Sequence, residues 1–151
     1  MLKIRIAERS DAPLLSANNC AMALETENKV LDPQGATLGV EGLFAQPQFG
    51  FYLVAEVDGI PAATLMVTYE WSDWRNGLFW WIQSVYVKAD FRRQGLYSAM
   101  YEELKVMAAA QETPVCGFRL YAETDNHNAQ ATYNNCGMQV CDYIMFEQAS
   151  A

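Results

Sequence analysis

The segment Phe79–Val87, FWWIQSVYV, sets the tightest limit on how this chain can fold. It has the length of a strand, is rich in aromatic and β-branched residues, and is apolar at both odd and even positions. Alternate side chains of a strand point to opposite faces, so apolar residues at both phases need cover on both sides. The segment reads as a central strand, and helices must flank its sheet.

The residues around it supply those helices. Immediately downstream, VKADFRRQGLYSAMYEELKVMAAA turns at Arg92–Gly95 into a long amphipathic helix. Upstream, KIRIAE (Lys3–Glu8) alternates as a strand does, and SDAPLLSANNCAMALETE opens a helix with Ser10 or Asp11 as its cap and Pro13 near its first turn. A second helix is expected around TLGVEGLFA. Two β-rich runs then meet at Asp58-Gly59, a strong signal for a tight hairpin. After the long helix come a strand in GFRLYAE, a helix in NHNAQATYNNCG ending at Gly137, and a last strand in QVCDYIMFE. The order is strand, two helices, three strands, helix, strand, helix, strand, which describes a mixed sheet with helices on its faces. At 151 residues, 52% of them apolar, the chain is long enough for one α/β domain over residues 1–151 and too short for two.

Composition removes several classes of function. A net charge of −8 opposes nucleic-acid binding, which needs a basic face. No apolar run approaches the roughly 20 residues of a membrane span, and MLKIRIAERSDAP lacks the pattern of a secretion signal. The expectation is a cytoplasmic protein without membrane contact. Cys20, Cys116, Cys136 and Cys141 lack metal-ligand spacing and His127 stands alone, so no metal and reduced thiols are expected.

The turn FRRQGLYS lies where the central strand meets a helix. The first turn of a helix has backbone N–H groups without intrahelical partners and the positive end of its dipole, so several N–H groups converge there on an anion. Gly95 lets the backbone approach phosphate oxygens closely, and Arg92 and Arg93 add positive charge. Neither the P-loop pattern nor the dinucleotide fingerprint is present, which argues against ATP and NAD.

The spacing Arg92-x-x-Gly95-x-Tyr97 after IQSVYV resembles the acyl-coenzyme A loop of the Gcn5-related N-acetyltransferases (GNAT), written Arg/Gln-x-x-Gly-x-Gly/Ala. Tyr97 departs from that pattern, and Ala89 replaces a frequent proline; a side chain at position 97 is tolerated if it points away from the phosphates. Asn126-x-x-Ala129-x-x-x-Tyr133-x-x-x-Gly137-Met138 resembles the family's second motif, with Asn126, Ala129 and Tyr133 on one helical face. By helical spacing alone such a Tyr is more often packing than catalysis. Two motifs in the right order reverse that reading.

The resemblance implies a single-domain α/β (α+β) fold, with a mixed central sheet of about six to seven strands flanked by about four helices. It implies acetyl transfer from acetyl-coenzyme A to a primary amine, by direct attack of the neutral amine in a ternary complex. Backbone groups of Val85 and Val87 would hold the pantetheine arm. Arg92, Arg93, Gln94, Gly95, Leu96, Tyr97 and Ser98 would take the pyrophosphate, Asn126 would bond the pantetheine or its adjoining backbone, and Tyr133 would protonate the departing thiolate.

The central strand holds no acid, so Glu70 at the end of the preceding strand is the leading general base, with a water chain as the alternative. The acceptor pocket is expected from Glu25 and Glu27, from Glu70, Trp71, Asp73, Trp74 and Arg75, and from Trp80 or Trp81, Gln83 and Ser84. Carboxylates interleaved with tryptophans suit an amine cation, whereas solvated acids and packed tryptophans are the plainer account. Trp71 and Trp74 lie three apart, so part of their segment must be a turn. A small-molecule amine is preferred as partner, and a homodimer is compatible with the sequence. The competing readings are a catalytically inactive acyl-coenzyme A-binding regulatory domain and a peptide or protein N-acetyltransferase.

Overall fold

Runs of β-branched and aromatic residues form five strands, β1 (Leu2–Ile6), β2 (Gly50–Val57), β3 (Ile60–Ser72), β4 (Gly77–Val87) and β5 (Val115–Arg119). Four helices accompany them, α1 (Ala12–Glu27), α2 (Pro33–Ala45), α3 (Leu96–Ala109) and α4 (His127–Asn135). The computed structural model describes every residue from Met1 to Ala151 and divides into two compact units, Met1–Tyr121 and Ala122–Ala151. The strands stand in the order β1-β2-β3-β4-β5, antiparallel throughout except for the parallel pair β4–β5. The class is the mixed α+β one expected.

In the first unit, local chemistry sets the element ends. Asp58 and Gly59 both take positive φ, 51° and 81°, which matches the twist of the β2–β3 hairpin. The second helix starts at Pro33 rather than at Thr37, because the Asp32 carboxylate accepts the Gln34 and Gly35 N–H groups at 3.3 and 3.2 Å. Pro33 suits the first helical position because its missing N–H would have had no partner there. On one sheet face Tyr52 and Val54 form a core with Ala7, Ala12, Leu15 and Val40, against which Met66 packs. Alternation sends Leu53, Leu65 and Val67 to the other face, where α3 lies against β2 and β4. Met100 and Leu104 of α3 are fully buried, each worth about 1.5–3 kcal/mol of apolar transfer.

In the second unit, Asn126 Oδ1 accepts the Ala129 N–H at 3.2 Å and starts α4. Gly137, at φ 92°, ends it: the Met138 N–H reaches Tyr133 O and the Gly137 N–H reaches Asn134 O, both at 3.0 Å.

Two expectations need correction. The strand expected in GFRLYAE lies earlier, at Val115–Arg119, because its ladder with β4 starts at Leu78–Val115 and ends at Trp81–Arg119. The last strand expected in Gln139–Glu147 is not formed, so the sheet has five strands rather than six to seven. No helix is long and apolar enough to cross a membrane.

Candidate active site

The site is organised by β4, which changes character halfway along. Thr64 pairs with Tyr86 but Met66 pairs with Gln83, so Leu65 faces two residues, Ser84 and Val85. This is a β-bulge, and Ser84 takes φ 52°, a left-handed conformation that costs a non-glycine residue on the order of 1–3 kcal/mol. On the opposite edge, β5 pairs with β4 only as far as Trp81. From Ile82 to Val87, β4 therefore has β3 on one side and no strand on the other. The Lys88 N–H donates to Ala62 O at 2.9 Å, so by alternation the backbone groups of Val85 and Val87 turn toward the side that β5 has left.

That open edge runs into the anion-binding turn. Arg93 and Gly95 adopt φ 63° and 75°. Gly95 is the N-cap of α3 and brings no side chain to cap the first turn. Leu96 and Tyr97 are buried, whereas Arg92 through Gly95 and Ser98 are exposed. The Tyr97 ring lies inward, stacked on Tyr101 with centroids 6.1 Å apart, so the bulky residue at the family's small position leaves the outer face of the turn clear.

Arg92 does not extend from this turn. Its Nε donates to Val87 O at 2.9 Å, its Nη2 to Glu25 Oε2 at 2.7 Å, and its guanidinium lies over the Tyr86 ring at 5.6 Å. The Tyr86 hydroxyl donates to the other Glu25 oxygen at 3.1 Å. Arg92 holds the Glu25 carboxyl below its ordinary range, helped by Tyr86, while burial pushes the Tyr86 phenol up and Glu25 adds to this. Glu25, expected in the acceptor pocket, thus ties α1 to the end of β4. Glu27, the last residue of α1, is exposed.

The remaining acceptor candidates lie along β3 and β4. Gln83, Thr68, Trp81, Glu70 and Phe79 share the face of Met66 by register. Gln83 Nε2 donates to Thr68 Oγ1 at 2.6 Å. Trp81 Nε1 donates to Glu70 Oε1 at 2.7 Å, and Arg119 Nη1 reaches both Glu70 oxygens at 3.0 and 3.2 Å. The Arg119 guanidinium sits 3.6 Å above the Phe79 ring. Of the two tryptophans left open by the sequence, Trp81 belongs to this face; Trp80 is buried on the other, against Phe51 and Phe118.

Trp71 alternates away from Glu70 and pairs with Leu78, so the two are not brought together. Asp73, Trp74 and Arg75 occupy the turn between β3 and β4, as their spacing required, and Trp74 is 85% exposed. Arg119 was missed; its signal is a lone cation in an otherwise apolar strand.

In the second unit, Asn126 uses its Oδ1 as the helix cap, leaving its amide N–H groups for other partners. Burial pushes the Tyr133 phenol above the ordinary tyrosine value, and nearby Cys136 adds to this, so it carries its proton at neutral pH.

Residues 20–138 match the sequence profile of the acetyltransferase (GNAT) family. A search of curated proteins finds no match. Among solved structures, a possible acetyltransferase from Clostridium difficile 630 is 41% identical, with 100% of this chain and 99% of that chain covered and a TM-score of 0.91. A predicted acetyltransferase with acetyl-CoA from Clostridium acetobutylicum is 19% identical, covering 98% and 96%, with a TM-score of 0.77. The ribosomal-protein-alanine N-acetyltransferase from Brucella melitensis biovar Abortus 2308 is 17% identical, covering 100% of both chains, with a TM-score of 0.77.

Proposed function

The chain belongs to the GNAT acetyltransferase family, and from that premise we propose that it transfers the acetyl group of acetyl-coenzyme A to a primary amine of a small molecule. The observation that carries this reading is the open edge of β4 from Ile82 to Val87, leading into the left-handed turn at Arg93–Gly95. Val85 and Val87 offer backbone groups to a pantetheine arm. The first-turn N–H groups of α3 face a pyrophosphate across Gly95. Arg93 and Gln94, exposed on the turn, add polar contacts, and Arg92 acts from behind by fixing the turn to Val87 and Glu25.

In the reaction the neutral amine attacks the thioester carbonyl. A C–N bond forms, the C–S bond breaks, the thiolate takes the proton of the Tyr133 hydroxyl, and the proton lost by the amine restores that hydroxyl through water. Positioning two substrates supplies most of the rate, with the acid adding a smaller factor. Asn126 sets the start of the helix that carries Tyr133.

For Glu70 the hydrogen bonds favour a duty other than base. Its carboxylate already accepts from Trp81 and Arg119, and abstracting a proton would require it to exchange those donors. Glu70 therefore positions Arg119 and Trp81 as the acceptor floor, with Gln83 alongside, and the amine's proton leaves through water. An acceptor amine suits the negative charge of the chain, to which exposed Glu27 contributes.

The test is free-thiol release from acetyl-coenzyme A across polyamines, amino acids, aminoglycosides and short peptides, with Tyr133→Phe alongside. Release with one small-amine class, falling about tenfold or more in the variant while coenzyme affinity holds, is the expected result. Release with peptides alone moves the acceptor class to protein amino termini. Tight coenzyme binding without release favours a regulatory role.

A further inference from the structure

Two polar side chains stand where the sheet opens. β5 pairs with β4 as far as Trp81, and β4 bulges at Ser84, so Gln83 lies between the last residue that β5 covers and the residue that breaks the ladder. Gln83 Nε2 donates to Thr68 Oγ1 at 2.6 Å, and both residues are half-buried on the face of Met66. Met66, directly opposite Gln83, is apolar, while Trp81 and Arg119 are engaged with Glu70. On β2 the partner of Thr68 is Gly50, where a Cβ would collide with Val67 O, so no side chain from β2 stands beside Thr68.

A side-chain amide has a donor end and an acceptor end. Thr68, on β3, takes the donor end of Gln83, so the carbonyl oxygen Oε1 turns away from β3. On the other side of β4 no strand follows Trp81, and there the backbone of Val85 and Val87 would carry the pantetheine arm and its acetyl group.

We propose that Gln83 is a catalytic residue whose Oε1 accepts one N–H of the neutral acceptor amine and so directs the nitrogen lone pair at the thioester carbonyl. Thr68 is the positioning residue that keeps this oxygen, and not the amide NH2, facing the amine. The assignment rests on the amine-transfer reading above. With the amide turned round, its N–H would donate to the same lone pair and oppose attack. As the C–N bond forms, the nitrogen becomes cationic, and a hydrogen bond from a charged donor is roughly twice as strong as one from a neutral donor. The contact therefore tightens in the transition state and acts on kcat. Gln83 takes no proton. A primary amine has one N–H for Oε1 and another to lose through water, whereas a secondary amine has a single N–H for both, so the site selects primary amines.

Thiol release by the full chain, with the most active primary amine of the panel above and its N-methyl counterpart, tests this in Gln83→Met, Thr68→Val and Thr68→Ser. Gln83→Met should lower kcat for the primary amine about tenfold or more, keep KM for acetyl-coenzyme A within about twofold, and shrink the preference for the primary amine. Thr68→Val should lower kcat about threefold to tenfold, and Thr68→Ser, which keeps the hydroxyl, should restore it. Unchanged kcat in Gln83→Met overturns the proposal, as does an unchanged preference for the primary amine. A loss in Thr68→Val that Thr68→Ser does not restore assigns Thr68 to packing and overturns its positioning role. If the parent chain releases no thiol with any amine, the transfer reading falls too; a parent that is active beside unaffected variants overturns this proposal alone.

Discussion

The Glu70 carboxylate shows how far a residue's duty depends on what touches it. In sequence it is an acid beside a tryptophan at a strand end, a natural base. In the fold it accepts from Trp81 and Arg119, and the Arg119 guanidinium rests on Phe79. Replacing it by glutamine keeps an acceptor for Trp81 but removes the charge and sets an amide N–H against Arg119 in place of the second oxygen. Glu70→Gln should leave kcat within about threefold and raise KM for the acceptor, since the floor loosens while the chemistry stands. Loss of kcat by about a hundredfold or more, with KM for the acceptor unchanged, would return Glu70 to the role of base. Arg119 was not legible because it pairs with Glu70 across a sequence separation of 49 residues, a contact that exists only once β5 lies parallel to β4. That Tyr133 stands on a helix and Gly95 in a turn was legible because their spacing is local.

At the scale of elements, the sequence specified most clearly what is made by neighbours. Asp58-Gly59 marked the β2–β3 hairpin, Gly137 marked the end of α4, and the double-phase apolar run marked β4 as interior. What depends on distant segments was misplaced: β5 was set too late, and residues 139–147 were assigned a strand that is not formed. The bulge at Ser84 was also unreadable, since an inserted residue in a strand leaves no mark on the composition. The turn before α3 carries a prediction of its own. A Cβ at Gly95 would meet nothing within 4 Å, so any substitution there acts through its positive φ rather than through a clash. Gly95→Val should retain a cooperative melt while losing acetyl-coenzyme A binding by calorimetry, because a β-branched residue pulls the turn out of the left-handed region. Undiminished affinity in this variant would remove the turn from the coenzyme site.

For the molecule as a whole, acidity is both a signature and a vulnerability. Arg5 grips Asp11 through two hydrogen bonds, at 2.7 and 2.9 Å, and binds Glu56 at 3.4 Å, joining β1 to the turn before α1 and to β2. Arg5 holds the Asp11 carboxyl below its usual value, with the Glu8 N–H helping. A depressed folded value gives stability that is complete above the unfolded value near 3.8 and is lost as pH falls through the folded one. Arg5→Met should cost about 1–3 kcal/mol at pH 7 by urea unfolding at fixed protein concentration, and the gap between variant and parent should narrow below about pH 4. A gap independent of pH would assign the loss to packing of the arginine stem instead.

Ser84 bears on the molecule in another way. Since Leu65 faces both Ser84 and Val85, removing Ser84 would leave every later cross-strand pair intact, Thr64 still opposite Tyr86. The shortened chain should melt at a higher temperature and bind no coenzyme, because a regular β4 would follow β5 and close the open edge. Calorimetric melting and coenzyme titration of the deletion variant read both effects; a higher melting temperature with coenzyme affinity kept would separate the bulge at Ser84 from the open edge.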